Sequence, residues 1–207
     1  MINDKPIHQF LDELASKHPT PGGGSAAAII GAMGAALVSM VCHLTIGKKN
    51  YEAVEAEMRE LLERAEKLRE RLTALVQTDV EAFDRVMVAY GLPKDSDEQK
   101  QVRSQAIQDA LKAATDVPLE CAKAAAEIVE SSRIAAEKGN RNVVSDAGVA
   151  VVAGYAALRS AALNVQVNTA AIKDQAFVSS RLKELDEILA HAEQANREIY
   201  RIVQEKL

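Results

Sequence analysis

The chain has 207 residues, 48% of them hydrophobic but only 3% aromatic, with no tryptophan and five prolines. That composition excludes a disordered chain and reads as helix throughout. A formal net charge of −5, with no basic stripe interleaved with aromatics, argues against DNA or RNA as a partner. The prediction is an all-α, single-domain bundle of long helices over residues 1–207.

The chain opens on Asp4, Lys5 and a short amphipathic stretch around Phe10, Leu11 and Leu14, with no charged-then-apolar leader. A cytoplasmic protein is expected. The first informative feature is the loop Thr20-Pro21-Gly22-Gly23-Gly24-Ser25, which runs into an Ala/Gly-rich apolar helix predicted over 26–46. Glycines here permit positive φ and close approach of a ligand to backbone N–H groups. Ser25 is the expected cap, and the helix start favours a carboxylate, a phosphate or a polarised carbonyl. An entry loop packed on its own protein explains the same residues. The helix is long enough for a bilayer, but its Ala and Gly content, Ser39 and His43 favour a buried central helix over a membrane span.

After Gly47, Lys48 and Lys49, the spacing of Val54, Met58, Leu61, Ala65, Leu68, Leu72, Leu75, Ala82 and Val86 predicts a helix from Tyr51 to Tyr90. Asp79 sits on that stripe where an apolar residue is expected. A carboxylate there must be paired, hydrogen-bonded or functional. A structural ion pair with Lys48 or Arg159 and a catalytic role are both open.

Gly91, Pro93 and Asp95 end that helix, and Ser96 with Gln99 reads as a capping box opening the next. Pro118 should kink or restart it, and Gly139 should close it. The polar turn Asn140-Arg141-Asn142-Val143-Val144-Ser145-Asp146 then leads into a second Ala-rich helix, predicted over 147–172. On it Asn164 and Asn168 project from one face. They suit either a heterocycle with paired donors and acceptors or a clamp on a neighbouring helix. A last amphipathic helix carries Val178, Leu182, Leu185, Leu189, Ala192, Ile199 and Val203, for packing on the bundle or on a second subunit.

His8, His18, His43 and His191 form no ligand pair at helical spacing, so no metal is expected. The glycines fit G-x-G-x-x-A only without the preceding strand, and Gly47-Lys48 is followed by Lys49 where a P-loop needs Ser or Thr. Both nucleotide motifs are rejected. Cys42 and Cys121 form no CxxC and are expected as free core thiols.

Taken together, the glycine loop, Leu44-Thr45-Ile46-Gly47-Lys48-Lys49, Asp79 with Ala82-Phe83, Gly139-Asn140 through Ser145-Asp146, and Asn164 with Asn168 resemble the cyclodeaminase/cyclohydrolase family of folate enzymes. The likeness runs from about Phe10 to Ile172. It implies a homodimeric helical bundle, a tetrahydrofolate derivative as substrate, and no metal or other cofactor. Within the family the chain looks most like the stand-alone bacterial methenyltetrahydrofolate cyclohydrolases, with the formiminotetrahydrofolate cyclodeaminase as the alternative activity. A non-catalytic helical oligomer that binds a small ligand is the third reading.

The site residues follow from the resemblance. Asp79 would accept a proton from the attacking water. Lys48 would tune Asp79 or bond the developing oxygen, and Asp146 with Asn142 would serve pterin recognition or proton transfer. Pro21, Gly22, Gly23, Gly24, Ser25, Asn140, Ser145, Asn164 and Asn168 would complete the substrate groove.

Overall fold

Apolar stripes at three- and four-residue spacing cannot be left in water, and five long helices bury theirs against one another. The computed structural model describes residues 5–207, so Asp4 lies outside the described residues. A short helix α1 (Ile7–Leu14) precedes α2 (Gly23–His43), α3 (Glu55–Tyr90), α4 (Asp97–Lys138), α5 (Val144–Thr169) and α6 (Gln175–Lys206). Single 3-10 turns at Glu52–Val54 and Arg141–Val143 lead into α3 and α5. No strand occurs among the described residues.

Helices α2 to α5 pack in a closed antiparallel ring, α2 against α3, α3 against α4, α4 against α5 and α5 back against α2. Helix α6 lies outside the ring, on α4 and α5. The core divides along its length. One large cluster gathers Ala27, Ala28, Leu72, Leu75, Leu119, Ala125, Leu158 and Leu185. A second gathers Val38, Val41, Met58, Leu61, Val129, Val151, Ile199 and Val203, and a small third gathers Ala89, Ile107, Leu111 and Ile172.

The α2–α5 crossing is unusually close because Gly34 and Gly154 face it. A Cβ on Gly34 would lie 3.2 Å from the Ala150 carbonyl oxygen and 3.3 Å from the Gly154 nitrogen. Small residues let the two backbones approach, which is what the Ala/Gly richness of both helices encodes. Helix α2 and the Arg141–Thr169 stretch are each long and apolar enough to cross a bilayer, with 56% and 50% of their most apolar windows buried in the bundle. The buried central helix expected for residues 26–46 is therefore found, though its outer face is not covered by the chain.

Several expectations are corrected. Helix α2 begins at Gly23, not Ala26, and Gly22 stands at its cap with no side-chain bond, so Ser25 is inside the first turn. None of Gly22, Gly23 and Gly24 has positive φ; among the described residues only Gly47 and Asn50 do. The capping box of Ser96 and Gln99 is present. Pro118 neither ends nor restarts α4, which runs unbroken through it to Gly139. Asp146 is in the first turn of α5 instead of the turn before it. Cys42 and Cys121 are free and buried, and burial pushes both thiols up to about 12.

If the α2–α5 crossing sets the spacing of the ring, Gly34→Val should cost about 3 kcal/mol by overpacking. That corresponds to a fall in Tm of about 6–12 °C for a chain of this size. An unchanged melting temperature in a calorimetric scan would show that the crossing relaxes freely.

Candidate functional site

At the end of the ring where α2 begins, the helices leave a groove of about 310 Å³. Pro19, Thr20, Gly22, Gly23 and Gly24 form its near wall, Asp79, Phe83 and Val86 of α3 its floor, and Asn164, Val167 and Asn168 of α5 its far wall. The Thr20–Pro21 peptide is cis, and Pro21 is buried behind the loop. The groove thus joins the start of one Ala-rich helix to the end of the other, because α2 and α5 run antiparallel.

Asp79 is half-buried and is held by Ser25, whose hydroxyl donates to Oδ2 at 2.9 Å. Among the described residues no cationic side chain pairs with it, so neither Lys48 nor Arg159 is its partner. Burial raises its pKa above the ordinary carboxylate value, and the hydroxyl and backbone N–H of Ser25 hold that rise back. The anion expected at the start of α2 is therefore the protein's own carboxylate. Beneath it lies a void of about 10 Å³, walled by Leu75, Val117, Pro118 and Cys121. That space is at the limit for one water molecule, and its apolar walls offer a water few partners. Asp79 thus meets hydrocarbon below and the groove above.

Gly24 is required by this arrangement. A Cβ there would fall 2.1 Å from Asp79 Oδ1 and 2.6 Å from its Cγ. Gly24 thus serves close approach of helix backbone to carboxylate, not positive φ, while a Cβ on Gly22 or Gly23 would meet only ordinary contacts.

The two asparagines present the same polarity. Asn164 Nδ2 donates to the Ser160 carbonyl at 2.9 Å, and Asn168 Nδ2 donates to the Ala114 carbonyl at 2.7 Å. One hydrogen of each amide is engaged by backbone, and among the described residues neither Oδ1 receives a hydrogen bond. With Asp79, the groove offers three acceptors over apolar walls. Such a lining suits a planar, donor-rich or cationic ligand.

The remaining expected residues lie at the opposite end. Lys48 follows the C-terminus of α2, and Asn142, Ser145 and Asp146 surround the start of α5. At 1.5 Å per residue, the length of α2 places Lys48 about 30 Å from Gly23. Lys48 and Asp79 therefore do not meet within one chain. Asn140 is engaged within the chain. It is 5% exposed, its Nδ2 donates to the Leu44 carbonyl at 2.8 Å, and its Oδ1 accepts from the Asn142 N–H at 3.0 Å. Its own N–H donates to Thr45 Oγ1 at 2.9 Å. Asn140 fixes the Lys48 loop against the start of α5. Asn142 and Ser145 are exposed and Asp146 is half-buried.

Four groove residues, Pro19, Ala114, Val86 and Val167, are not among those expected from sequence. The two valines were findable, since Val86 falls seven residues after Asp79 and Val167 three after Asn164, on the same helix faces. Among the described residues no three His, Cys, Asp or Glu side chains cluster as a metal site requires.

Comparison with known proteins bears on this geometry directly. Residues 6–187 match the family model described as formiminotransferase-cyclodeaminase. The chain belongs to the formiminotransferase-cyclodeaminase family. It is 58% identical, over the full length of both chains, to the methenyltetrahydrofolate cyclohydrolase of Methylorubrum extorquens. It is 36% identical over 188 residues to the formimidoyltransferase-cyclodeaminase of Sus scrofa, of which it spans 35%. The crystal structure of formiminotetrahydrofolate cyclodeaminase from Thermotoga maritima superposes with a TM-score of 0.89 at 33% identity, covering 99% of this chain and 98% of that one. The family resemblance and the all-α fold expected from sequence are both found.

The raised pKa of Asp79 has a thermodynamic sign. The fold favours the protonated carboxyl, so its stabilising contribution is complete below the unfolded value of about 3.9 and is lost as pH rises through the folded value. Asp79→Asn should therefore melt above the parent at pH 7, with the gap closing toward pH 4. An Asn variant that melts below the parent at pH 7 would mean that the carboxylate stabilises the fold after all.

Proposed function

We propose that this chain hydrolyses 5,10-methenyltetrahydrofolate to 10-formyltetrahydrofolate, with Asp79 as the general base. The observation that carries the reading is a carboxylate with no cationic partner among the described residues, at the floor of an apolar groove, in a chain 58% identical to a methenyltetrahydrofolate cyclohydrolase. The substrate carries a cationic amidinium carbon between N5 and N10. A desolvated carboxylate attracts that cation and accepts a proton from the water that adds to it. The tetrahedral adduct then breaks its bond to N5. N5 takes up the hydroxyl proton as the formyl carbonyl forms on N10, and the proton on Asp79 leaves to solvent. Gly22, Gly23 and Gly24 shape the wall, Ser25 orients the base, and Asn164 and Asn168 face the pterin. Free buried thiols fit a reducing, cytoplasmic setting.

Lys48 and Asp146 enter through a second copy of the chain. The surface shared by α2 and α5 is apolar and uncovered, with Met33 60%, Val149 55%, Leu163 64% and Val167 72% exposed. A homodimer formed on this face, with its two-fold axis perpendicular to the helices, sets each bundle antiparallel to its partner. The partner's Lys48 and Asp146 then approach Asp79, and Val167 belongs to both groove and interface. A C2 interface of this kind is self-complementary.

Cyclodeamination, in which N10 attacks a formimino carbon and ammonia leaves, passes through a related tetrahedral centre. The likeness to the Thermotoga maritima cyclodeaminase keeps it as the second reading.

Loss of the near-ultraviolet absorbance of methenyltetrahydrofolate, well above the spontaneous rate in the same buffer, is the expected result. Asp79→Asn should slow it about 100-fold or more, as removal of a general base does. Acceleration of formiminotetrahydrofolate conversion alone, with ammonia released, would move the assignment to cyclodeaminase.

The two-chain site has its own test. Asp79→Asn and Lys48→Ala subunits, each nearly inactive, should recover about a quarter of parental activity when mixed and allowed to form heterodimers with one intact site. No recovery in a confirmed heterodimer would place all of the machinery within one chain.

A further inference from the structure

Among the described residues, Pro118 is the one proline inside a helix. In the middle of α4 it cannot supply the N–H that would normally bond the carbonyl four residues earlier, which is that of Ala114. A helix carbonyl freed in this way has to find another donor if it is buried. Here the donor comes from another helix, since Asn168 Nδ2 of α5 reaches Ala114 O at 2.7 Å. Ala114 and Asn168 are both on the wall of the groove. The carbonyl that Pro118 leaves without its helical donor is therefore bonded by a side chain at the candidate site.

The bond also fixes the sense of the Asn168 amide. Only the NH2 end can donate to a carbonyl, so Oδ1 is left free to accept on the other side of the amide, beside the second N–H. With the N–H of an ordinary residue at position 118, Ala114 O would be satisfied within α4 and the amide could turn. We propose that Pro118 is a positioning residue for the folate site: by leaving the Ala114 carbonyl without its helical donor, it anchors the Asn168 amide and presents its oxygen to an N–H edge of the ligand's heterocycle. The inference rests on the folate reading above and adds how one recognition group is oriented.

The test uses Pro118→Ala, Asn168→Asp and the double variant in the full chain, with Tm and tetrahydrofolate Kd by calorimetry for each. Asn168→Asp alone sets a carboxylate oxygen against the Ala114 carbonyl, and should lower Tm and weaken binding more than 10-fold, as loss of a buried charge-compatible partner does. In the double variant the restored N–H of residue 118 satisfies Ala114, so Tm should rise back toward the parent. The introduced carboxylate, free to turn its oxygen to the groove, should regain at least about 5-fold in affinity over the Asn168→Asp single variant. Pro118→Ala alone should weaken binding about 3- to 10-fold without lowering Tm, a split that mere loss of packing does not produce.

Strictly additive effects, or a Pro118→Ala protein that binds tetrahydrofolate like the parent, would overturn the role of Pro118 while leaving the functional reading intact. A parent that binds no tetrahydrofolate would overturn the functional reading and this role together. The ligand-free Tm comparison would still report whether the Pro118–Ala114–Asn168 anchor exists.

Discussion

A carboxylate pressed against hydrocarbon and steadied by the hydroxyl and N–H of one serine is the constraint around which this bundle is arranged. Desolvating Asp79 works against the fold, and the fold meets it with the first turn of α2. That turn must come within contact of the carboxylate, which requires glycine at position 24. It must also be held at that height, which requires α2 to lie close along α5 through Gly34 and Gly154. The small-residue content of the two Ala-rich helices and the chemistry of the groove are thus consequences of one placement.

An antiparallel ring separates what a sequence places side by side. Two helices that cross in opposite directions bring the start of one to the end of the other. The groove is therefore built from the loop before α2, the last third of α3 and the last turns of α5, while the Lys48 and Asp146 loops share the far end. Each end has its own polar fastening. Asn140 and Thr45 tie the far loops together, and Asn164 and Asn168 tie the groove wall to backbone carbonyls. An enzyme that uses both ends has to bring them together from two molecules, and the bare apolar face of α2 and α5 is where such molecules would meet.

Much of this is legible in the residues. The stripe on α3 marks Asp79 because the helical face around it is apolar, and the four-residue spacing of Asn164 and Asn168 puts them on one face. The capping box at Ser96 follows from local chemistry alone. The part that is not legible concerns partners distant in the chain. Ser25 reads as a cap because its role depends on a carboxylate 54 residues away. Pro118 reads as a break because the group that replaces its missing donor is on another helix. The separation of Lys48 from Asp79 is within reach of the sequence, since the length of the intervening helices fixes it, but a motif reading ignores length. Asn140 looks like a ligand contact for the same reason that it is a good loop fastener, having both a donor and an acceptor.

The sulfur of Cys121 lies one layer below Asp79, yet burial keeps it a neutral thiol at any physiological pH. Attack on an electrophile needs the thiolate, so alkylating reagents should pass over a folded molecule even when they occupy its groove. Modification at this position would register how often the helices part, not how often the groove is filled. The groove end of the bundle thus carries an internal clock for its own opening.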